Sequence, residues 1–254
     1  MNRTNQVAII TGGGGYIGGA IARLFAEEGA TVVLCDIQQG PMDEVVADIT
    51  QKGGKAWTFK TDIRDKASIA DAVRTTLERH GRIDILANVA GGSAREEIAR
   101  IHLEKEEVID QILGVNFYGA FYFCRAVAPV MIGQKSGKII NIGSAVGIKG
   151  QAGLCDYSAA KGAVITLTKS LAMELGPHNI NVNCVSPGLV PRPGTNKDYV
   201  PATNYLQKCC TAEDVAHLVD FLASDKAGFI LGENVVIDGG WSLGLKGDSS
   251  RQLR

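Results

Sequence analysis

The run Val7-Ala8-Ile9-Ile10 meets nine residues, Thr11 to Gly19, six of which are glycine, and then Ala20-Ile21-Ala22-Arg23-Leu24-Phe25-Ala26. The apolar tetrapeptide predicts a buried strand, and the alanine-rich run predicts a helix. A glycine-rich turn between them lets the backbone reverse sharply and come close to a ligand. Amide groups at the helix start carry partial positive charge, so the turn suits a pyrophosphate. Gly13, Gly15 and Gly18 fit the spacing of a dinucleotide-binding turn, with Gly12, Tyr16 and Ile17 as the remaining contact candidates.

A second strand, Thr31 to Asp36, ends in a carboxylate at about the 20-residue offset expected for ribose recognition. Asp36 would accept hydrogen bonds from ribose hydroxyls and repel a 2′-phosphate. No arginine follows immediately, so the expected cofactor is NAD(H) rather than NADP(H). Further strands are expected at Ile83–Ala87, Lys138–Ile142 and Asn181–Val185, separated by helix-like runs. The alternation predicts an α/β protein, a doubly wound parallel sheet with helices on both faces. Its ligand site lies beyond the carboxyl ends of the strands.

Chemistry is concentrated in Tyr157-Ser158-Ala159-Ala160-Lys161, with Ser144 upstream. On a helix, Tyr157 and Lys161 share a face. A phenol titrates near 10, so accepting an alcohol proton near neutrality asks for a depression of roughly 3 units, about 4 kcal/mol. An ammonium alongside supplies much of that, and a serine hydroxyl can hydrogen-bond the substrate oxygen. A Tyr-Lys pair alone is an ordinary surface feature; the glycine turn gives it weight.

Together with Asp62-Ile63, Asn88-Val89-Ala90-Gly91, Asn116, Pro187-Gly188 and the C-terminal Gly232–Gly240, these motifs resemble the short-chain dehydrogenase/reductase family, from about Val7 to Trp241. The resemblance implies a single-domain Rossmann-like fold over residues 1–254. It makes Tyr157 the general acid/base, Lys161 its activator and ribose contact, Ser144 the substrate-oxygen hydrogen-bonding group and Asn116 a proton-relay support. It also puts Asp62 and Ile63 near adenine, Asn88, Ala90 and Gly91 along the adenosine side, and Pro187, Gly188 and Val190 around the nicotinamide. A homotetramer is implied, with the helices containing Asn116 and Tyr157 at one interface. Three positions depart from the pattern: Tyr16 replaces a glycine, Val89 an asparagine, and Arg192 stands where a threonine is common.

The expected reaction interconverts a secondary alcohol and a ketone. A 3-oxoacyl thioester reductase and a non-catalytic dinucleotide-binding regulator are the alternatives. With 254 residues, 45% hydrophobic content and a net charge of −1, the chain can bury a large core and has no bulk attraction for nucleic acid or anionic membranes. No apolar stretch of roughly 20 residues and no secretory leader were apparent, so a cytoplasmic location is expected. The six cysteines and four histidines lack metal-ligand spacing, and no metal is expected. The substrate pocket is expected from the loop after Gly91, residues 145–154, and the segment Leu189 to Tyr205. Residues 243–254 are expected to be a mobile or interface tail.

Overall fold

The computed structural model describes residues 1–93, 99–192, 194 and 204–244. Its strands are β1 (Val7–Thr11), β2 (Thr31–Asp36), β3 (Lys55–Lys60), β4 (Ile85–Asn88), β5 (Gly137–Ile142), β6 (Ile180–Pro187) and β7 (Asn234–Ile237). The main helices are α1 (Tyr16–Glu27), α2 (Gln39–Gln51), α3 (Lys66–His80), α4 (Glu106–Leu113), α5 (Gly119–Gln134), the short α6 (Val146–Lys149), α7 (Cys155–Leu175) and α8 (Ala212–Leu222).

All seven strands are parallel, in the order β3-β2-β1-β4-β5-β6-β7. Strands buried on both faces read as continuous apolar runs, which is what Val7–Ile10 and Thr31–Cys35 are. Successive side chains serve opposite layers. Ala8 and Ile10 pack with α1, α2 and α8, whereas Val7 and Ile9 pack with α3, α5 and α7.

The register aligns the strand ends: Thr11 stands opposite Asn88, Asn88 opposite Asn141, Ile142 opposite Val185, and Pro187 opposite Ile237. The order reverses between β1 and β4, and ligands of open α/β sheets bind at such a crevice. The turns after β1, β4, β5 and β6 therefore share one edge of the sheet.

Several details differ from the sequence reading, among them strand bounds, with β5 starting at Gly137 and β6 running over Ile180–Pro187. The fourth strand begins at Ile85 rather than Ile83, although Asp84 still bonds its neighbours through its amide to Val7 O (2.9 Å) and its carboxylate to Val7 N (2.8 Å). The helical stretch around Asn116 is interrupted by a π-turn at Gly114–Tyr118. The helical run Glu106–Gln134 is, by length and composition alone, long and apolar enough to cross a bilayer, which the sequence reading had not recognised. Its Phe123, Val127 and Met131 pack under the sheet. Of the tail, only Leu243 and Gly244 fall within the described residues; 245–254 lie outside them, as do 193 and 195–203 of the expected pocket segment.

The N-terminus is fixed by a buried charge. The guanidinium of Arg3, 2% exposed, donates to the Asp220 carboxylate (2.8 Å) and to Ala223 O (3.2 Å) and lies 4.4 Å from the Phe25 ring centroid. This ties the chain start to α1 and α8.

Candidate functional site

The glycine turn leaves β1 through Gly12, whose φ of +65° is open to glycine at little cost. A Cβ at Gly12 would stand 2.8 Å from Ala90 Cα, and one at Gly18 would overlap the carbonyl oxygen of Gly12. The turn therefore packs backbone on backbone, against both the β4 exit and itself. Gly15 precedes α1 without a side chain to cap it, so the first N–H groups of the helix face the crevice. That cradle fits a pyrophosphate, whose charge the helix start favours. Tyr16 opens α1 and is 36% exposed; Ile17 packs on the core.

Asp36, at the end of β2, faces this turn. Its Oδ2 accepts from Gly14 N (3.2 Å) and its Oδ1 from Gln38 N (3.1 Å). The carboxylate is held beside the phosphate cradle with lone pairs remaining, which suits a ribose diol.

Thr11 orders the β4 exit, a role the sequence reading missed. Its Oγ1 accepts from Val89 N (3.0 Å) and Ala90 N (3.1 Å), fixing the path to Gly91. The Asn88 side chain turns inward instead and donates to Asn141 Oδ1 (2.9 Å), while Asn141 donates to Thr168 Oγ1 (3.0 Å). This buried chain joins β4, β5 and α7, so the Asn88 amide serves the scaffold. Val89, with no side-chain amide, packs on the core. Ile63 is likewise buried, against Gly119, while the Asp62 carboxylate stays near the surface, paired with Arg64. Arg64 holds the Asp62 carboxyl below the usual carboxylate range.

The four candidate reacting or relay residues converge at the ends of β4 and β5. Asn116, 1% exposed, accepts from Gly92 N (3.0 Å) and donates to Gly92 O (2.9 Å) and Ile112 O (3.0 Å). Gly91 runs so close that a Cβ there would stand 2.6 Å from Asn116 Oδ1 and 3.1 Å from Lys161 Nζ. Lys161, 3% exposed, donates to Ile142 O (2.8 Å), and its Nζ lies 5.8 Å from the Tyr157 ring centroid. Burial pulls the Lys161 ammonium down to about 8. Ser144, two residues beyond that carbonyl, is buried and accepts from Val146 N (3.4 Å).

The β6 exit closes the far side. Pro187 O accepts from Ala145 N (2.9 Å), next to Ser144, and Gly188 N donates to Ile237 O (3.0 Å). Val190 packs on the core, and Arg192 is exposed. Also missed was a carboxyl pair at the start of α7. The Glu104 carboxyl lies close enough to Asp156 to be raised by it, and Asp156 precedes Tyr157 and accepts its backbone N–H (2.6 Å). Nothing in the spacing of these two acids marks them as neighbours.

Residues 6–201 match the family model for short chain dehydrogenases. The chain is 37% identical over 246 residues to a 3-oxoacyl-[acyl-carrier-protein] reductase of Thermotoga maritima, covering 94% of this chain and 99% of that one. It is 32% identical over 251 residues to a 7alpha-hydroxysteroid dehydrogenase of Bacteroides fragilis, with 96% and 97% covered. Among solved structures, an NAD+-bound xylitol dehydrogenase superposes with a TM-score of 0.90 at 28% identity, covering 94% of this chain and all of the other.

Proposed function

The chain belongs to the short-chain dehydrogenase/reductase family, and on that premise we propose that it is an NAD(H)-dependent oxidoreductase interconverting a secondary alcohol and a ketone. The observation that carries this reading is Lys161, buried and anchored to Ile142 O, with its ammonium beside the Tyr157 ring at the common strand edge.

A nicotinamide dinucleotide, when bound, supplies the hydride acceptor or donor. Residues Gly12 to Gly18 and the start of α1 would hold its pyrophosphate, Asp36 a ribose, and Pro187 to Val190 the nicotinamide end. Ser144 Oγ orients the substrate oxygen. Tyr157 takes the alcohol proton during oxidation and returns it during reduction. Lys161 places positive charge beside the phenol, favouring its ionised form. Asn116 fixes Gly92 and thereby the Gly91 backbone against Lys161, keeping the ammonium where it acts. Asp36 supports NAD(H) over NADP(H), because a 2′-phosphate beside this carboxylate meets like charge.

A second reading, 3-oxoacyl thioester reduction, is favoured by the Thermotoga relative. We extend the main reading to a homotetramer. The outer groove between α5 and α7, lined by Phe121, Ala128, Ile132, Leu167 and Leu171, offers an apolar face for a subunit contact.

The test is NADH formation or consumption, followed by absorbance, over cyclic alcohols, sugars, hydroxysteroids, acyl thioesters and their oxo counterparts. NADP(H) runs in parallel and Tyr157→Phe serves as control. Turnover on an alcohol or ketone that Tyr157→Phe abolishes while still binding NADH supports the reading. Near-normal turnover by Tyr157→Phe rejects the mechanism, and clear preference for NADP(H) rejects the role of Asp36.

A further inference from the structure

The turn between β3 and α3 grips the π-turn that carries Asn116 at both of its ends. Ile63 lies over Gly119, where a Cβ would stand 2.6 Å from Ile63 Cδ1. The aliphatic stem of Arg64 lies over Gly114, where a Cβ would stand 3.5 Å from Cγ and 3.6 Å from Cδ. These two glycines flank Val115 to Tyr118; the missing side chain of Gly119 lets Ile63 approach, while at Gly114 the Arg64 stem lies at ordinary packing distance. A π-turn widens a helix locally and is often found where a functional side chain must be aimed. Here the aimed side chain is Asn116.

The other end of Arg64 holds Asp62. Its Nε donates to Oδ1 (3.1 Å), its Nη2 to Oδ2 (2.8 Å), and its backbone N to Oδ1 (2.9 Å). The fork fixes the carboxylate plane. Both side chains are substantially exposed, and an exposed ion pair adds little to stability. Stability therefore gives little account of a fork whose aliphatic stem also reaches the π-turn.

We propose that Arg64 is a positioning residue that couples the adenine end of the dinucleotide site to Asn116. The inference rests on the dinucleotide reading above. An exocyclic adenine amine donating to Asp62 restrains the carboxylate, the carboxylate restrains the guanidinium fork, and the Arg64 stem settles against Gly114. The π-turn then has fewer orientations, and Asn116, bonded to Gly92, is held more firmly beside Gly91 and Lys161. Coupling of this kind requires only that the adenosine end bind better to the ordered turn.

The experiment uses ADP-ribose, which carries the adenosine end and no nicotinamide, with binding by calorimetry and amide hydrogen exchange over residues 112–118. In the wild-type protein, saturating ADP-ribose should slow exchange in this segment at least threefold. Arg64→Ala should weaken binding about fivefold to tenfold and, once saturated, lose more than half of that protection. Arg64→Met, which keeps the stem without the fork, should weaken binding similarly and also lose more than half of that protection, because the stem alone receives nothing from Asp62. Wild-type-like protection in either saturated variant overturns the coupling, as does unchanged ADP-ribose affinity in both. If the wild-type protein fails to bind ADP-ribose, the dinucleotide reading falls, and the coupling with it. Melting temperatures within about 2 °C of wild type identify variants whose loss is not one of folding.

Discussion

The ammonium of Lys161, in α7, donates to the carbonyl of Ile142 at the end of β5, across 2.8 Å. One bond thus ties the helix that carries Tyr157 to the strand that leads to Ser144. It also leaves a cation in a buried place, where desolvation brings its pKa from 10.5 to about 8.

That depression makes stability depend on pH. Between about pH 8 and 10.5 the unfolded lysine binds a proton that the folded one has released, so stability rises with pH across this window. Relative to Lys161→Met, the cofactor-free wild-type protein should gain up to about 3 kcal/mol from pH 7 to pH 10.5. Urea denaturation of both proteins at pH 7, 8, 9 and 10 measures it; parallel curves would show that the lysine is not desolvated. Lys161→Met should also cost at least a hundredfold in turnover.

Asn116 makes three hydrogen bonds from a buried position. Asn116→Asp keeps the shape and the bond from Gly92 N, but an ionised carboxylate cannot donate to Gly92 O or Ile112 O. Facing two carbonyls unpaired costs about 1–3 kcal/mol, or several degrees of melting temperature for a chain of this size. Turnover at saturating cofactor should fall at least tenfold. An unchanged rate would mean that the Gly91–Gly92 path needs no such support.

The doubly wound sheet was legible because each signal was local. Val7–Ile10 and Thr31–Asp36 are runs that only a strand buried on both faces uses, and the glycine turn has few other purposes. Tyr157 and Lys161 were legible because four residues make one helical turn. The π-turn was not, since 106–134 reads as one continuous helix and the residues packed at its two ends, Ile63 and Arg64, lie some fifty residues earlier. Arg3 was hidden for the same reason: its partner Asp220 lies at the other end of the chain. The inward role of Asn88 required knowing that Asn141 stands opposite it.

At Gly18 a Cβ would overlap the Gly12 carbonyl oxygen, whereas at Gly40, in α2, it would meet nothing within 4 Å. Gly18→Ala should therefore displace the turn and weaken NADH binding at least tenfold. Gly40→Ala should bind normally and be more stable by up to about 1 kcal/mol, the helix preference of alanine over glycine. Fluorescence titration with NADH and thermal melts separate the two; normal binding by Gly18→Ala would show that the backbone contact there is dispensable.

Arg3→Met removes one partner of a buried ion pair and leaves the Asp220 carboxylate among apolar groups. Breaking a buried pair in this way costs about 3–5 kcal/mol, which lowers the melting temperature by roughly 10 °C at this chain length. Arg74, whose partners Asp71 and Glu78 are exposed, serves as the contrast, and Arg74→Met should cost under about 1 kcal/mol. Adding Asp220→Leu to Arg3→Met should recover part of the loss. A similar small effect at both arginines would mean that Arg3 is hydrated in solution.

The last prediction concerns Glu104, whose carboxyl is pushed above its ordinary range by the burial of Oε2 and then by Asp156. A raised carboxyl pKa gives stability that is complete below the unfolded value near 4.5 and is lost as pH rises through the folded one. Deprotonation leaves two carboxylates facing each other at the start of α7, with Asp156 already accepting from Tyr157 N. Glu104→Gln keeps a donor toward Asp156 at every pH. It should match the wild-type protein at pH 4.5 and melt at a higher temperature at pH 7.5, where the charge pair is present only in the wild type. Thermal melts of both proteins from pH 4.5 to 8 decide it: a difference that does not change with pH would show that the Glu104 carboxyl is not raised.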